Sequence, residues 1–289
     1  MTERVTLSAG ALTLELAPAL GGSIWRFDAG GLPVLRGARD ETTNVLDTGC
    51  FPLVPYVNRI RGGRFTCAGR EVVIAPNMAG DRSPLHGQGW QSEWSVDAAD
   101  EAQATLGYRH GAGEWPWDYV AEQHFALDEQ GLTATLTCRN TSSAPMPCGL
   151  GFHPYHPCDA DTRLDTEVAG AFTVDPDVLP VARVPAEGRY DLRERQVCGQ
   201  GLDNGFDGWG GRSTMTWRNG LRVTMSSPTA QFFQLYSPVE GGLFVAEPVS
   251  HANCALNEDE ARWADFGIVM LAEGEAMTLQ MRLEVKTDR

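Results

Sequence analysis

Alternation with a period of two constrains this chain more than any other feature. Leu12, Leu14 and Leu16 alternate with Thr13 and Glu15. Leu132, Ala134, Leu136 and Cys138 alternate with Thr133, Thr135 and Thr137, and Leu221, Val223 and Met225 with Arg222 and Thr224. Met277, Leu279, Met281, Leu283 and Val285 alternate with Thr278, Gln280, Arg282, Glu284 and Lys286. Successive strand side chains point to opposite faces, so each segment is expected to be a strand with one face on a core and one towards water. Glycine pairs such as Gly62-Gly63 and Gly210-Gly211 punctuate these segments with turns. Helical periodicity is scarce. Only Asn257 to Phe266 is expected to form a short helix, with Glu258, Asp259 and Glu260 suited to its first turn. The expected fold class is therefore all-β, a large antiparallel β-sandwich with few short helices. No internal repeat, low-complexity tract or linker divides the chain, so one domain is expected over residues 1–289. Residues 184–200 are expected to form a surface excursion.

Composition narrows the function. A chain of 289 residues can bury roughly three quarters of its unfolded surface, so it needs no disulfide or metal to fold. Its 38 acidic and 23 basic residues give a net charge of −15, which argues against nucleic acid and anionic membrane as partners. Met1 to Gly10 has no apolar run, and no stretch has the length of a transmembrane helix, so a cytoplasmic location is expected. The seven cysteines are scattered, odd in number and without a CxxC pair. They are expected to be reduced thiols, with no structural zinc site.

The stretch Gly151-Phe152-His153-Pro154-Tyr155-His156-Pro157 stands out for chemistry. Its prolines exclude a helix interior and hold each preceding histidine extended. A stiff backbone carrying imidazoles suits proton transfer near neutral pH; a buried, hydrogen-bonded histidine in a rigid loop is the alternative. Leu243-Phe244-Val245-Ala246-Glu247-Pro248 ends an apolar run in a carboxylate that is costly to bury unless paired or functional. Pro248 presents Glu247 as Pro154 presents His153, which suggests a general acid and a general base facing one pocket. Three further segments carry polar groups suited to a sugar. In Asn58-Arg59-Ile60-Arg61-Gly62-Gly63-Arg64 the arginines either form a solvated turn or hold hydroxyl or carboxylate oxygens. In Leu85-His86-Gly87-Gln88-Gly89-Trp90 the glycines permit close backbone approach to a ligand and Trp90 offers a flat apolar face; a tight turn packed by Trp90 and Trp94 is the alternative. Asp203-Asn204-Gly205 reads as a turn, with Asp203 as its cap or as a hydroxyl acceptor.

Taken in order, these segments resemble the aldose 1-epimerases, or galactose mutarotases. The resemblance spans about residues 10 to 285, and Gly151-Phe152-His153-Pro154-Tyr155 is its most specific element. It implies the antiparallel supersandwich of galactose mutarotase-like proteins. It implies His153 as general acid and Glu247 as general base. It also implies Arg59, His86 and Asp203, together with Asn58 and Tyr155, around the sugar. The family uses neither metal nor organic cofactor, so none is expected. The expected partner is a monosaccharide such as galactose, glucose or xylose, bound by a monomer or homodimer. Gln88 and His156 depart from the galactose-type pattern; both positions are expected to bear on sugar choice, and His156 stands close enough in sequence to affect the charge of His153. A hexose 6-phosphate epimerase, relying on Arg59, Arg61 and Arg64, and a non-catalytic sugar-binding protein are alternatives. A metal-dependent hydrolase fits less well, because the prolines forbid the helical histidine spacing of zinc proteases.

Overall fold

The computed structural model describes residues 3–287; Met1, Thr2, Asp288 and Arg289, which belong to the N-terminal and domain expectations, lie outside the described residues. Two large antiparallel sheets, one of eleven strands and one of nine, dominate it. The period-two segments form the strands Leu12–Ala17, Gly131–Asn140, Leu221–Ser226 and Ala276–Thr287. The last three lie in the nine-stranded sheet, whose inward Leu136, Val223, Met225, Leu279, Met281 and Leu283 are buried. They share one core with Leu14, Phe152, Phe206, Phe233 and Phe244 of the larger sheet, so the two sheets form the expected sandwich.

The centre of the larger sheet positions the candidate site. There the strands run in the order Cys50–Leu53, Gly151–Pro157, Leu243–Val249, Phe232–Ser237, Leu202–Asp207 and Gly170–Val174. One face meets the sandwich core. The other carries a second apolar cluster, including Phe51, Tyr155, Phe232, Val245 and Val249. Burial on both faces explains why Leu243 to Ala246 is an unbroken apolar run.

The turn expected at Asp203 is instead part of the strand Leu202–Asp207, because registered pairing with Phe232–Ser237 overrides the local turn preference of Asn204-Gly205. The helix expected over Asn257 to Phe266 becomes two 3-10 segments, Ala255–Asn257 and Glu260–Phe266, separated by an extended Glu258. Asp259 caps the second by accepting from the Ala261 N–H at 3.1 Å. Residues 184–200 lie mostly at the surface, but Leu192 and Val197 are buried and Arg195–Gln196 forms an edge strand. The expectation of seven reduced thiols is corrected. Cys158 and Cys198 form a disulfide with Cα atoms 5.7 Å apart, while the other five cysteines are free and buried. The pair is separated by 40 residues and joined by tertiary folding, so spacing alone carries no signal of it.

Candidate functional site

Strand register aligns the central residues. His153 pairs with Phe51, Glu247 with Gln234, and Gln234 with Gly205. Between the His153 and Glu247 strands the pairing runs from Gly151 opposite Val249 to Tyr155 opposite Val245. Counting inward from either end puts His153 opposite Glu247. Pro154 and Pro248 flank this position, and each removes a ladder N–H, so the ladder is weakened where the two side chains meet. The result is a row on one sheet face: Phe51, His153, Glu247, Gln234 and the bare Gly205. A neighbouring row holds Tyr155, Val245, Tyr236 and Asp203.

His153 Nε2 lies 3.7 Å from Glu247 Oε1. The imidazole stacks on Phe51 with ring centroids 4.5 Å apart, and Tyr155 flanks it at 4.7 Å. Only 9% of His153 and 2% of Glu247 is exposed. His153 Nδ1 and Glu247 Oε2 have no hydrogen-bond partner. Burial drives both groups towards their neutral forms. It pushes the imidazole down to about 3, with the Arg36 charge acting in the same sense. It raises the Glu247 carboxyl well above the usual range, helped by Asp203 and opposed by Arg59.

Loops add the remaining groups. The Asn58 N–H donates to His86 Nδ1 at 3.1 Å, which leaves Nε2 of the neutral ring as the donor. Burial, with the charge of Arg59 acting in the same sense, keeps the His86 imidazole far below its usual range. The His86 ring lies 5.5 Å from that of His153. Asn58 and His86 both occupy the left-handed region, at φ of 56° and 60°. Such backbone strain persists only where the surroundings enforce it. Arg59 donates from Nε to Asp81 Oδ2 at 2.9 Å, and its N–H to Asn253 Oδ1 at 3.0 Å. His251 holds the same loop, accepting from the Val57 N–H at 2.8 Å. Asp203 accepts from Gln234 Nε2 at 2.8 Å; burial raises its carboxyl, and Arg59 and that bond oppose the rise.

His153, Glu247, Tyr155, His86, Arg59 and Asp203 lie near one another, with Asn58 joining through its backbone, whereas Arg61 and Arg64 turn away, to the Pro180 carbonyl and to Glu71. The Gly87–Trp90 segment takes the packed-turn alternative, and the expectation for His156 changes. Gly87 and Gly89 admit the chain's own Val54, not a ligand: a Cβ on Gly87 would fall 2.1 Å from the Val54 carbonyl oxygen, and one on Gly89 2.4 Å from a Val54 methyl. Trp90 is 1% exposed and stacks behind Phe51 instead of presenting a free face. His156 points into the sandwich core, because an offset of three along a strand reverses the face. It contacts the Val34 carbonyl through Nδ1 at 3.0 Å, stacks on Phe244, and plays no part in the shift of His153. Gln88 accepts from Tyr119 Oη at 3.3 Å.

Gln234, Tyr236 and Asp81 escape the sequence reading. Gln234 had a legible signal, a lone amide inside the apolar run Phe232-Phe233-Gln234-Leu235-Tyr236. Asp81 sits in a polar loop that resembles any solvated turn.

The aldose 1-epimerase sequence profile matches residues 3–284. The Escherichia coli K12 protein YphB, itself uncharacterized, is 32% identical over 97% of this chain and 98% of its own. An Escherichia coli K12 crystal structure, provisionally assigned as an aldose 1-epimerase, superposes with a TM-score of 0.89 at 30% identity, covering 99% of each chain. A galactose mutarotase-like protein from Clostridium acetobutylicum shares the fold, with a TM-score of 0.86 at 17% identity over 98% of this chain and 95% of that one. On sequence and fold together, the chain belongs to the aldose 1-epimerase family.

Proposed function

We propose that this protein is a mutarotase that interconverts the α and β anomers of a free aldose. The observation that carries the reading is the His153–Glu247 pair, 3.7 Å apart on one sheet face, each with a nitrogen or oxygen left unpartnered. Ring opening needs one proton delivered to the ring oxygen and one removed from the anomeric hydroxyl. Glu247 as carboxylate takes the second while His153 as imidazolium gives the first. The C1–O5 bond opens to an aldehyde, the C1–C2 bond rotates, and the steps reverse on the other carbonyl face. Protons balance over the cycle and no electrons are exchanged.

Burial alone favours the neutral imidazole and neutral carboxylic acid, so the pair must be charge-separated by its surroundings. Arg59 favours the carboxylate. Hydrogen bonds from sugar hydroxyls to Glu247 Oε2 act in the same direction. His86 donates from Nε2, and Asp203 accepts. Positioned proton transfers of this kind each contribute roughly 10²–10⁴-fold in rate.

The free sugar is favoured over a hexose 6-phosphate because the three arginines that would clamp a phosphate diverge: Arg59 is paired with Asp81, Arg64 with Glu71, and Arg61 reaches Pro180. Two-dimensional NMR exchange on α-glucose, α-galactose, α-xylose and glucose 6-phosphate separates the readings. Accelerated exchange of a free aldose is expected. Acceleration confined to the phosphate would favour the phosphate epimerase, and binding without acceleration would favour a sugar-binding protein.

A further inference from the structure

The proposed acid step needs His153 as an imidazolium in a place that disfavours one. Burial drives the ring towards its neutral form, and the Arg36 charge acts in the same sense. Among the described residues Nδ1 has no hydrogen-bond partner, and Nε2 stands 3.7 Å from Glu247 Oε1, beyond hydrogen-bond length. Glu247 supplies a counter-charge only when it is ionised, a balance on which Arg59 and Asp203 act in opposite senses. His86, 5.5 Å away, is held neutral, and Cys50 beside Phe51 belongs to the sandwich core.

Aromatic faces are what the imidazole does have. The Phe51 ring lies nearly parallel to it, at an interplanar angle of 16° with centroids 4.5 Å apart. Tyr155 flanks it at 4.7 Å, but the Tyr155 ring already lies under the Arg36 guanidinium, whose carbon is 4.0 Å from its centroid. Behind Phe51 stacks Trp90, at 5.3 Å, fixed by its Nε1–H donating to the Leu85 carbonyl at 3.1 Å. An aromatic face is the negative end of the ring quadrupole and attracts a cation within about 6 Å, most strongly where water is excluded. Phe51 meets that condition, being 1% exposed.

We propose that Phe51 is a positioning residue for the acid step: its π face, backed by Trp90, stabilises the imidazolium of His153 by cation–π attraction and holds the ring towards Glu247. The inference rests on the mutarotase reading for its kinetic test.

That test places 4-fluoro-, 3,5-difluoro- and 3,4,5-trifluorophenylalanine at position 51 of the full chain by stop-codon suppression. Fluorine withdraws charge from the ring face in steps and nearly keeps its shape. kcat/KM for the free aldose that wild type turns over fastest is measured at pH 8, where the imidazolium is the minor form and its stability limits the active fraction. The rate is expected to fall with each added fluorine, by about threefold or more at the third, as a cation–π contact predicts. Phe51→Leu, apolar but without a π face, is expected to lose at least as much; should it lose the wild-type circular dichroism, the fluorine series decides. Equal rates across the series, a smaller loss, or a loss that does not follow the number of fluorines overturns the inference. If wild type turns over none of the sugars, the mutarotase reading fails instead. Phe51 is then judged by nitrogen NMR of the His153 ring between pH 4.5 and 7.5, in histidine-labelled wild type and trifluorophenylalanine protein. A larger imidazolium fraction in wild type upholds its role, and equal fractions at every pH overturn it.

Discussion

At the scale of single residues, the roles of the six histidines are set by where each imidazole is held. His86 and His251 each accept a backbone N–H through one ring nitrogen, which fixes a neutral tautomer. His156 is a core histidine that contacts the Val34 carbonyl and stacks on Phe244. His153 alone combines an unpartnered nitrogen with a carboxylate across the ladder. His156, one of the two departures from the galactose-type pattern, therefore loses its expected link to the charge of His153, because it faces the core. His156→Phe is expected to keep mutarotation near wild type, measured by polarimetry. Gln234 has the opposite standing, since it is the donor that holds Asp203. A hydrogen bond to a charged group is worth about 1.5–3 kcal/mol, so Gln234→Leu is expected to lower kcat/KM by about ten- to a hundredfold with the fold intact. Unchanged kcat/KM beside unchanged circular dichroism would show that Asp203 needs no such support.

At the scale of elements, strands with one wet face were legible and elements buried twice or paired at long range were less so. The segments beginning at Leu12, Leu132, Leu221 and Met277 show their faces in the alternation itself, and each is a strand. The Glu247 strand shows no alternation because both its faces are covered, yet the misplaced carboxylate still marked it. Asp203-Asn204-Gly205 reads as a turn locally and is a strand through its pairing with Tyr236, Leu235 and Gln234. The His86 loop is open to two readings in the sequence, a ligand cradle and a packed turn, and the neighbouring Val54 backbone and side chain, which explain its glycines, favour the packed turn. Gly87→Ala tests that explanation. At φ of +72° the added Cβ costs about 1–2 kcal/mol in backbone conformation alone, before its clash with Val54. A drop of more than that in unfolding free energy is expected, measured by urea titration; a neutral effect would contradict the packing account.

At the scale of the whole molecule, the buried histidines link stability to pH. Burial lowers His86, His110, His153, His156 and His251, the last two to about 4 from an ordinary 6.5. Between these limits the unfolded chain binds more protons than the folded one, so stability falls as the pH drops from about 6.5 towards 4. For fully buried His156 the whole excursion corresponds to about 3 kcal/mol. Glu247 and Asp203 work in the opposite sense, since burial raises them and their ionisation in the unfolded chain favours unfolding as the pH rises. Five histidines outweigh two carboxyls over this window. Urea unfolding is expected to give a lower free energy at pH 5 than at pH 7.5, with the difference reduced in His156→Phe. Equal stability at both values would contradict the buried neutral state of these rings. The strands of the sandwich and the X-Pro positions of His153 and Glu247 show in local sequence pattern, whereas the grouping of Arg59, His86 and Asp203 with them rests on the family resemblance. The Cys158–Cys198 bond and the row joining Phe51 to Gly205 show in neither, since both arise from register between distant segments.

The measurement that tests the central claim most directly is polarimetry of freshly dissolved α-glucose, α-galactose and α-xylose with wild type, Glu247→Gln and His153→Asn. The wild type is expected to accelerate mutarotation of at least one of these sugars. Each variant is expected to keep the wild-type circular dichroism and to lose about 10²–10⁴-fold of that acceleration. Near-wild-type rates in either correctly folded variant would contradict the assignment of the pair as acid and base.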